Sequence, residues 1–430
     1  MVDRRDFLKT AGLAAGGIAA AATPLEAMLR EQRPPALSSQ APDVVVIGAG
    51  AFGGWSALYL QRMGATVTLV DQYGPGNSRA SSGDETRGVR TGYGSNMLWS
   101  RWASEAIRRW IRFDDEFGRE MKVRLFYQTG DLTCRRELDG FVEQSMATWQ
   151  KLGIRHDLLT MDEARYRYPQ IDFSEFTVVV HEHDAGVVRA RRACEVVAEV
   201  FRNEGGTIIT ARAAPVPHVN GVMPHVMLEP GGALAAGQFV FACGPWLWKV
   251  FPDVLGNRMR TSLGYVYYFG TPPGDNRFMF PNMPSYNMPG GTGWPALGPD
   301  HRGFRVRTGG GPHSDPDTVE RFIDPSNFTR PRAMLANFFP ALRDMPLLET
   351  RACHYESSIS RNFIVDRLPD HRNVWVSGCG NAEGFKQGPV VGEHTAHRVL
   401  GHPTNPELDA NFRMPTATYG DNDALEPLID

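Results

Sequence analysis

The sequence predicts a mixed α/β protein in which a parallel-sheet nucleotide domain, discontinuous along the chain, carries an inserted antiparallel β-sheet lobe. Three observations predict it. A strand, glycine turn, helix and strand run from Asp43 to Asp71; the texture changes to Pro, Gly, Tyr and Trp clusters between about residues 251 and 348; and the first texture returns after residue 351. With 430 residues, 42% of them hydrophobic, the chain can bury cores for about two to three such lobes.

Residues 1–27 read as an address. Arg4-Arg5 and Phe7-Leu8-Lys9 precede an uncharged Ala- and Gly-rich stretch with small residues at Ala20-Ala21-Ala22. That stretch is too short and too weakly apolar for a membrane span and fits a cleaved signal peptide. The paired arginines make it a twin-arginine type, which predicts a periplasmic or otherwise exported protein with no membrane span once mature. The polar, Pro-rich residues 28–42 then read as a linker.

Asp43 to Ile47 is a β-branched run, followed by Gly48-Ala-Gly50-Ala-Phe-Gly53, a helical pattern through Trp55, Leu58, Tyr59 and Met63, and a second run, Thr66 to Val70, that ends at Asp71. This is the βαβ unit of a Rossmann-like dinucleotide site. The glycines bring backbone N–H groups close to a pyrophosphate, the helix N-terminus adds positive potential, and Asp71 can accept from a ribose hydroxyl. Further on, Trp99, Trp102, Ala106, Trp110 and Phe113 recur at helical spacing and predict an aromatic stripe packed on the core. Thr160 and Glu163 form a capping box. Arg189 to Asn203 reads as a helix with Cys194 on its apolar face, followed by a strand from Thr207 to Thr210. Phe239 to Ala242 is a strand delivering Cys243-Gly244-Pro245 toward the cofactor. Near the end come strands at Phe363 to Asp366 and Val374 to Ser377, then a helix from about Gly388 to Leu400 with Pro389 in its first turn.

Lysines and arginines number 45 against 48 acids, a net charge of −3, with no run of five like charges. Nothing electrostatic points to nucleic acid or to an anionic membrane. The five cysteines have neither CxxC spacing nor the density of a disulfide framework. No metal centre is expected: His181, His183 and Asp184 read as polar groups at a strand end, and His394 with His397 as a solvated helix face.

Four segments together resemble the D-amino-acid oxidase superfamily of FAD-dependent oxidoreductases, and within it the monomeric sarcosine oxidase and N-methyltryptophan oxidase branch. They are the Gly48 to Asp71 unit, Ser81-Ser82-Gly-Asp-Glu-Thr86-Arg87-Gly-Val-Arg90, Cys353-His354-Tyr355, and Phe363-Ile-Val-Asp366 leading to Gly384-Phe385-Lys386. The resemblance implies an FAD-binding domain from residues 43–130, 182–250 and 351–405, a substrate domain from 131–181 and 251–350, and a tail from 406–430. It assigns the ADP half of FAD to Gly48, Gly50, Gly53 and Asp71, and further cofactor contacts to Ser81, Ser82, Thr86, Arg87, Gly384, Phe385 and Lys386. Cys353 matches a cysteine that forms a thioether to the flavin, which implies covalent FAD.

Arg90 and Lys386 match the pair that binds a substrate carboxylate, and Tyr355 is expected to line the same pocket. Arg305, in Gly303-Phe-Arg305-Val-Arg307, stands where the branch has a lysine that assists reaction with oxygen; Gly83 stands near the place of a histidine. The implied activity is oxidation of the C–N bond of an amino acid or secondary amine carrying a carboxylate. The imine product hydrolyses, and hydrogen peroxide forms if oxygen is the acceptor. The alternatives are a dehydrogenase that passes electrons to a quinone or carrier protein, and a flavoprotein without catalysis. A nicotinamide enzyme using the same glycine turn leaves Cys353 and Gly384-Phe-Lys386 without a role.

Overall fold

The computed structural model describes residues 41–298 and 302–420. The expected signal segment, the linker up to residue 40 and residues 421–430 of the tail lie outside the described residues. No helix among the described residues is long and apolar enough to cross a membrane.

A six-stranded sheet runs in the order Ile364–Arg367, Val374–Gly378, Gln238–Phe241, Val44–Ile47, Val67–Asp71, Thr207–Thr210. All its pairs are parallel except the edge pair Ile364–Arg367 with Val374–Gly378. Val44–Ile47 is buried throughout, as a parallel strand covered on both faces must be, and so reads as an unbroken apolar run. Helix Ala51–Arg62 crosses from Val44–Ile47 to Val67–Asp71, which completes the βαβ unit expected from the glycine spacing.

The second sheet has eight strands in the order Leu347–Ser358, Met259–Phe269, Phe304–His313, Gly291–Trp294, Ser285–Met288, Asp131–Arg135, Val178–Glu182, His156–Leu159. It is antiparallel except where Ser285–Met288 meets Asp131–Arg135 in parallel. Those two strands come from chain segments far apart in sequence, so no hairpin fixes their direction. Leu347–Ser358 crosses the boundary expected at 350/351 and pairs with Met259–Phe269 through Ser358, so Cys353 and Tyr355 sit on the second sheet.

Helix Gly384–Leu400 begins four residues earlier than the Pro389 signal indicates, and Pro389 lies inside it. Tertiary contacts outweigh the proline. Trp110 stacks on Phe385 with ring centroids 5.6 Å apart, and its Nε1 donates to the Lys386 carbonyl at 2.9 Å. The aromatic stripe of helix Met97–Phe113 is thus core, as expected, and it also fixes the first turn that carries Lys386.

Glycines let helix Gly384–Leu400 lie against helix Ala51–Arg62. A Cβ at Gly392 would come within 2.4 Å of the Trp55 Cβ and 2.6 Å of its carbonyl carbon, and one at Gly384 within 2.8 Å of the Phe52 ring. Gly392→Ala should therefore lower the unfolding free energy by about 1–3 kcal/mol, read as a drop in denaturant midpoint with unchanged slope.

Candidate active site

One cavity of about 770 Å³ is lined from both large sheets and gathers residues from the glycine turn to Asp71, from Ser81 to Arg90, from Cys353 to Tyr355 and from Gly384 to Lys386. Gly48, Gly50, Asp71, Ser81, Ser82, Arg87, Arg90, Arg305, Cys353, Tyr355, Gly384, Phe385 and Lys386 all line it. Gly53 and Thr86 do not. Gly53 acts by close approach, since a Cβ there would strike the Gly48 carbonyl oxygen at 1.8 Å. Thr86 is buried and its Oγ1 accepts from Trp294 Nε1 at 3.0 Å, so it holds a cavity wall in place.

At the glycine turn, Gly48 adopts φ +106° and passes so close to Ala242 that a Cβ would lie 2.3 Å from its carbonyl oxygen. A Cβ at Gly50 would meet only Ser82 Oγ, at 3.6 Å; Gly50 has no side chain to cap the helix that begins at Ala51, whose own N–H donates to Ser82 Oγ at 3.2 Å. The other N–H groups of the first turn and the helix dipole suit an anion. Asp71 Oδ2 accepts from the Ala49 N–H at 2.8 Å and Oδ1 from the Tyr73 N–H at 2.9 Å. Asn77 Nδ2 also donates to Oδ1, at 3.5 Å, so the lone pair left for a ribose hydroxyl is on Oδ2. Burial raises the Asp71 carboxyl against N–H bonds from Ala49, Tyr73 and Gly74. The helix start, the open glycine and the acid at the strand end fit the ADP half of an FAD.

Asp84, 1% exposed, organises the centre. Its Oδ2 pairs with Arg87 and, at 3.3 Å, with Arg305 Nη2; its Oδ1 accepts from the Glu85 N–H at 2.8 Å and from Tyr268 Oη at 3.4 Å. Burial alone would push its carboxyl up, but Arg87 and Arg305 hold it below the usual range. The Arg305 guanidinium lies 3.8 Å from the centre of the Trp294 ring, and its Nε and Nη1 have no hydrogen-bond partner among the described residues. Burial, then Asp84, push the Cys353 thiol up to about 11, with Arg87 and Arg305 opposing. Beside it, burial and Arg321 hold His354 down at about 4, so its ring is neutral at pH 7. Gly83 admits no side chain, because a Cβ would lie 1.9 Å from the Asn77 carbonyl oxygen.

Lys386 stands in the first turn of its helix rather than just ahead of it. Its Nζ donates to Glu383 at 2.6 Å and lies 4.8 Å from the centre of the Tyr93 ring. Burial opposes ionisation of Glu383, but Lys386 and Arg90 hold its carboxyl down at about 2. The loop before the helix has Cys379, Asn381 and Ala382 at positive φ, a conformation that non-glycine residues keep only where neighbours impose it. Glu356 is such a neighbour: its carboxylate accepts from the Gly380 N–H and from Ser81 Oγ, both at 3.2 Å. The Asn381 N–H donates to the Glu356 carbonyl at 2.8 Å, which completes the tie.

Sequence reasoning missed Asp84, Asp131, Glu182, Glu356, Glu383 and Arg307. Asp84 lies inside the Ser81 to Arg90 segment and Glu383 just before Gly384, so proximity to a motif was the available signal. The histidine cluster also differs from expectation. Asp157, not Asp184, stands by His181 and His183, with its Oδ2 3.1 Å from His183 Nε2, while Asp184 pairs with Arg155.

The model of a family described as FAD dependent oxidoreductase matches residues 43–398. Monomeric sarcosine oxidase of Bacillus sp. (strain B-0618) is 25% identical over 379 residues, which cover 85% of this chain and 94% of that protein. N-methyl-L-tryptophan oxidase of Salmonella heidelberg (strain SL476) is 24% identical over 380 residues, 86% of this chain and 98% of that one. The solved structure of L-proline dehydrogenase from P. horikoshii has the same fold, with a TM-score of 0.75 at 18% identity over 86% of this chain and 96% of that one.

Behind Arg90, Glu182 is fully enclosed and accepts from the Thr91 N–H at 3.0 Å and Thr91 Oγ1 at 2.7 Å. Burial, then the Asp131 charge, raise its carboxyl from 4.5 to about 7. A folded-state pKa above the unfolded one means the folded protein holds this proton longer, so stability falls as pH rises from 4.5 to about 7. Glu182→Gln should remove that loss. Its unfolding free energy relative to wild type, read from denaturant titrations, should climb across this window, by up to about 3 kcal/mol at the upper end.

Proposed function

The chain belongs to the family of FAD dependent oxidoreductases, and from this premise we propose that it oxidises the C–N bond of an amino acid or N-alkyl amino acid through the carboxylate-binding pair Arg90 and Lys386. The observation that carries the proposal is that these two cations line the same cavity as the glycine turn, Asp71 and Cys353. FAD, when bound, supplies the two-electron acceptor for the hydride equivalent leaving the substrate carbon.

The chain's residues do the rest. The guanidinium fork of Arg90 and the ammonium of Lys386 orient a carboxylate, and with it the C–H to be broken. Lys386 has three N–H donors; Glu383 takes one, and two remain for substrate. The N-terminal turn Gly384–Lys386 lines the cavity and contributes positive potential where negative charge develops on reduction. The substrate nitrogen must be neutral so that its lone pair forms the imine, which water then hydrolyses. Cys353 is proposed to hold the cofactor covalently, supported by its place on the cavity wall beside Arg87.

Arg305 favours a second reading of the acceptor. Its guanidinium is held between Asp84 and Trp294 and cannot exchange a proton as a lysine can. That supports delivery of electrons to a quinone or carrier protein in place of oxygen. Arg4-Arg5 and the Ala- and Gly-rich stretch after it support export as the protein's destination.

The experiment is an anaerobic absorption titration of the holoenzyme with N-methyl, cyclic and primary amino acids, followed by air. Bleaching by a carboxylate-bearing amine is the expected result, with fast recovery in air marking an oxidase and slow recovery a dehydrogenase. No bleaching by any such amine removes the reading. Lys386→Met should raise KM on the order of 100-fold with FAD still bound. In Cys353→Ser, acid precipitation should release flavin into the supernatant, whereas wild type should keep it with the pellet.

A further inference from the structure

Arg307 lines the cavity two residues beyond Arg305 on strand Phe304–His313. Alternation along a strand places both side chains on the same face of the sheet. Arg307 packs over Gly264, where a Cβ would stand 3.2 Å from its Nη2, and Gly264 pairs in register with Cys353. The guanidinium is therefore one strand away from the proposed flavin attachment, and Tyr355 and Arg90 are close enough to act on its charge.

The other cavity cations have anionic neighbours. Arg87 and Arg305 share Asp84, Lys386 has Glu383, and Arg90 lies in the fields of Asp131 and Glu383. The Arg307 side chain makes no hydrogen bond or ion pair among the described residues. Burial, then Arg305, hold its guanidinium down at about 10, so it is still a cation at pH 7. A largely enclosed guanidinium among like charges is costly unless an anion completes it.

We infer that the substrate carries a second carboxylate and that Arg307 binds it, so that the preferred substrate is an acidic amino acid or its N-alkyl derivative. The inference rests on the reading of the cavity as an amine-oxidation site. Arg90 and Lys386 take the carboxylate next to the reacting carbon, and Arg307 takes the one on the side chain. A bidentate guanidinium suits that task, and a neutral side chain would leave it unpaired.

Two ratios test this in the FAD-loaded protein. One is the Kd of pentanoate over that of glutarate, read from perturbation of the flavin absorption band. The other is kcat/KM for N-methylglutamate over that for N-methylglutamine. Wild type should show about 10- to 100-fold for each. Arg307→Gln should bring both ratios toward one, and Arg307→Lys should keep part of them. Wild-type ratios near one overturn the inference. So does an Arg307→Gln protein whose ratios persist, or one whose flavin spectrum shifts while both members of a pair weaken equally. If no amine reduces the flavin but glutarate preference is present and lost in Arg307→Gln, the anion subsite stands and the proposed reaction falls. If N-methylglycine and N-methylglutamine reduce it as well as N-methylglutamate does, the reaction stands and the subsite falls.

Discussion

A single buried carboxylate, Asp84, ties the segment that follows the βαβ unit to the eight-stranded sheet at the cavity. Arg87, three residues further along that segment, and Arg305, on the eight-stranded sheet, both pair with it, while the Glu85 N–H and Tyr268 Oη occupy its other oxygen. Two guanidiniums enclosed this deeply would repel each other and lose their hydration without it, and the carboxylate alone would be as poorly solvated. The three charges are stable as a set, and the set fixes where Cys353 and Trp294 stand. Thr86 adds a neutral tie to the same wall through the Trp294 indole.

Glu356 does for the backbone what Asp84 does for the charges. It follows Tyr355 on the strand that carries Cys353, yet its contacts go to Ser81 and Gly380, which belong to two distant loops. The left-handed residues from Cys379 to Ala382 turn the chain sharply enough to aim the next helix at the cavity. Hydrogen bonds from the neighbouring strand keep that turn in place.

Legibility in the sequence followed how local each determinant is. The βαβ unit was readable from spacing because turn, helix start and acid act within thirty residues or so of one another. Cys353, Arg90, Tyr355 and Lys386 could be singled out only because their motifs resemble a known family, since a cysteine or a lysine on its own is usually structural or solvated. Asp84, Glu356, Glu383 and Arg307 were not legible, because a charged residue acquires its meaning from a partner that only the tertiary fold supplies. The start of helix Gly384–Leu400 was misplaced for a related reason. A local rule about proline met a long-range contact, the Trp110 indole on Phe385 and the Lys386 carbonyl, and the contact prevailed.

The tight seam between helices Ala51–Arg62 and Gly384–Leu400 has a consequence for ligand binding. One helix begins at the glycine turn and the other carries Lys386 in its first turn, both on the cavity wall, and interlocked Trp55 and Gly392 leave no room for either to slide. The two helix starts are therefore held at one fixed spacing, so the glycine turn and the lysine are presented to the cavity as a single rigid frame.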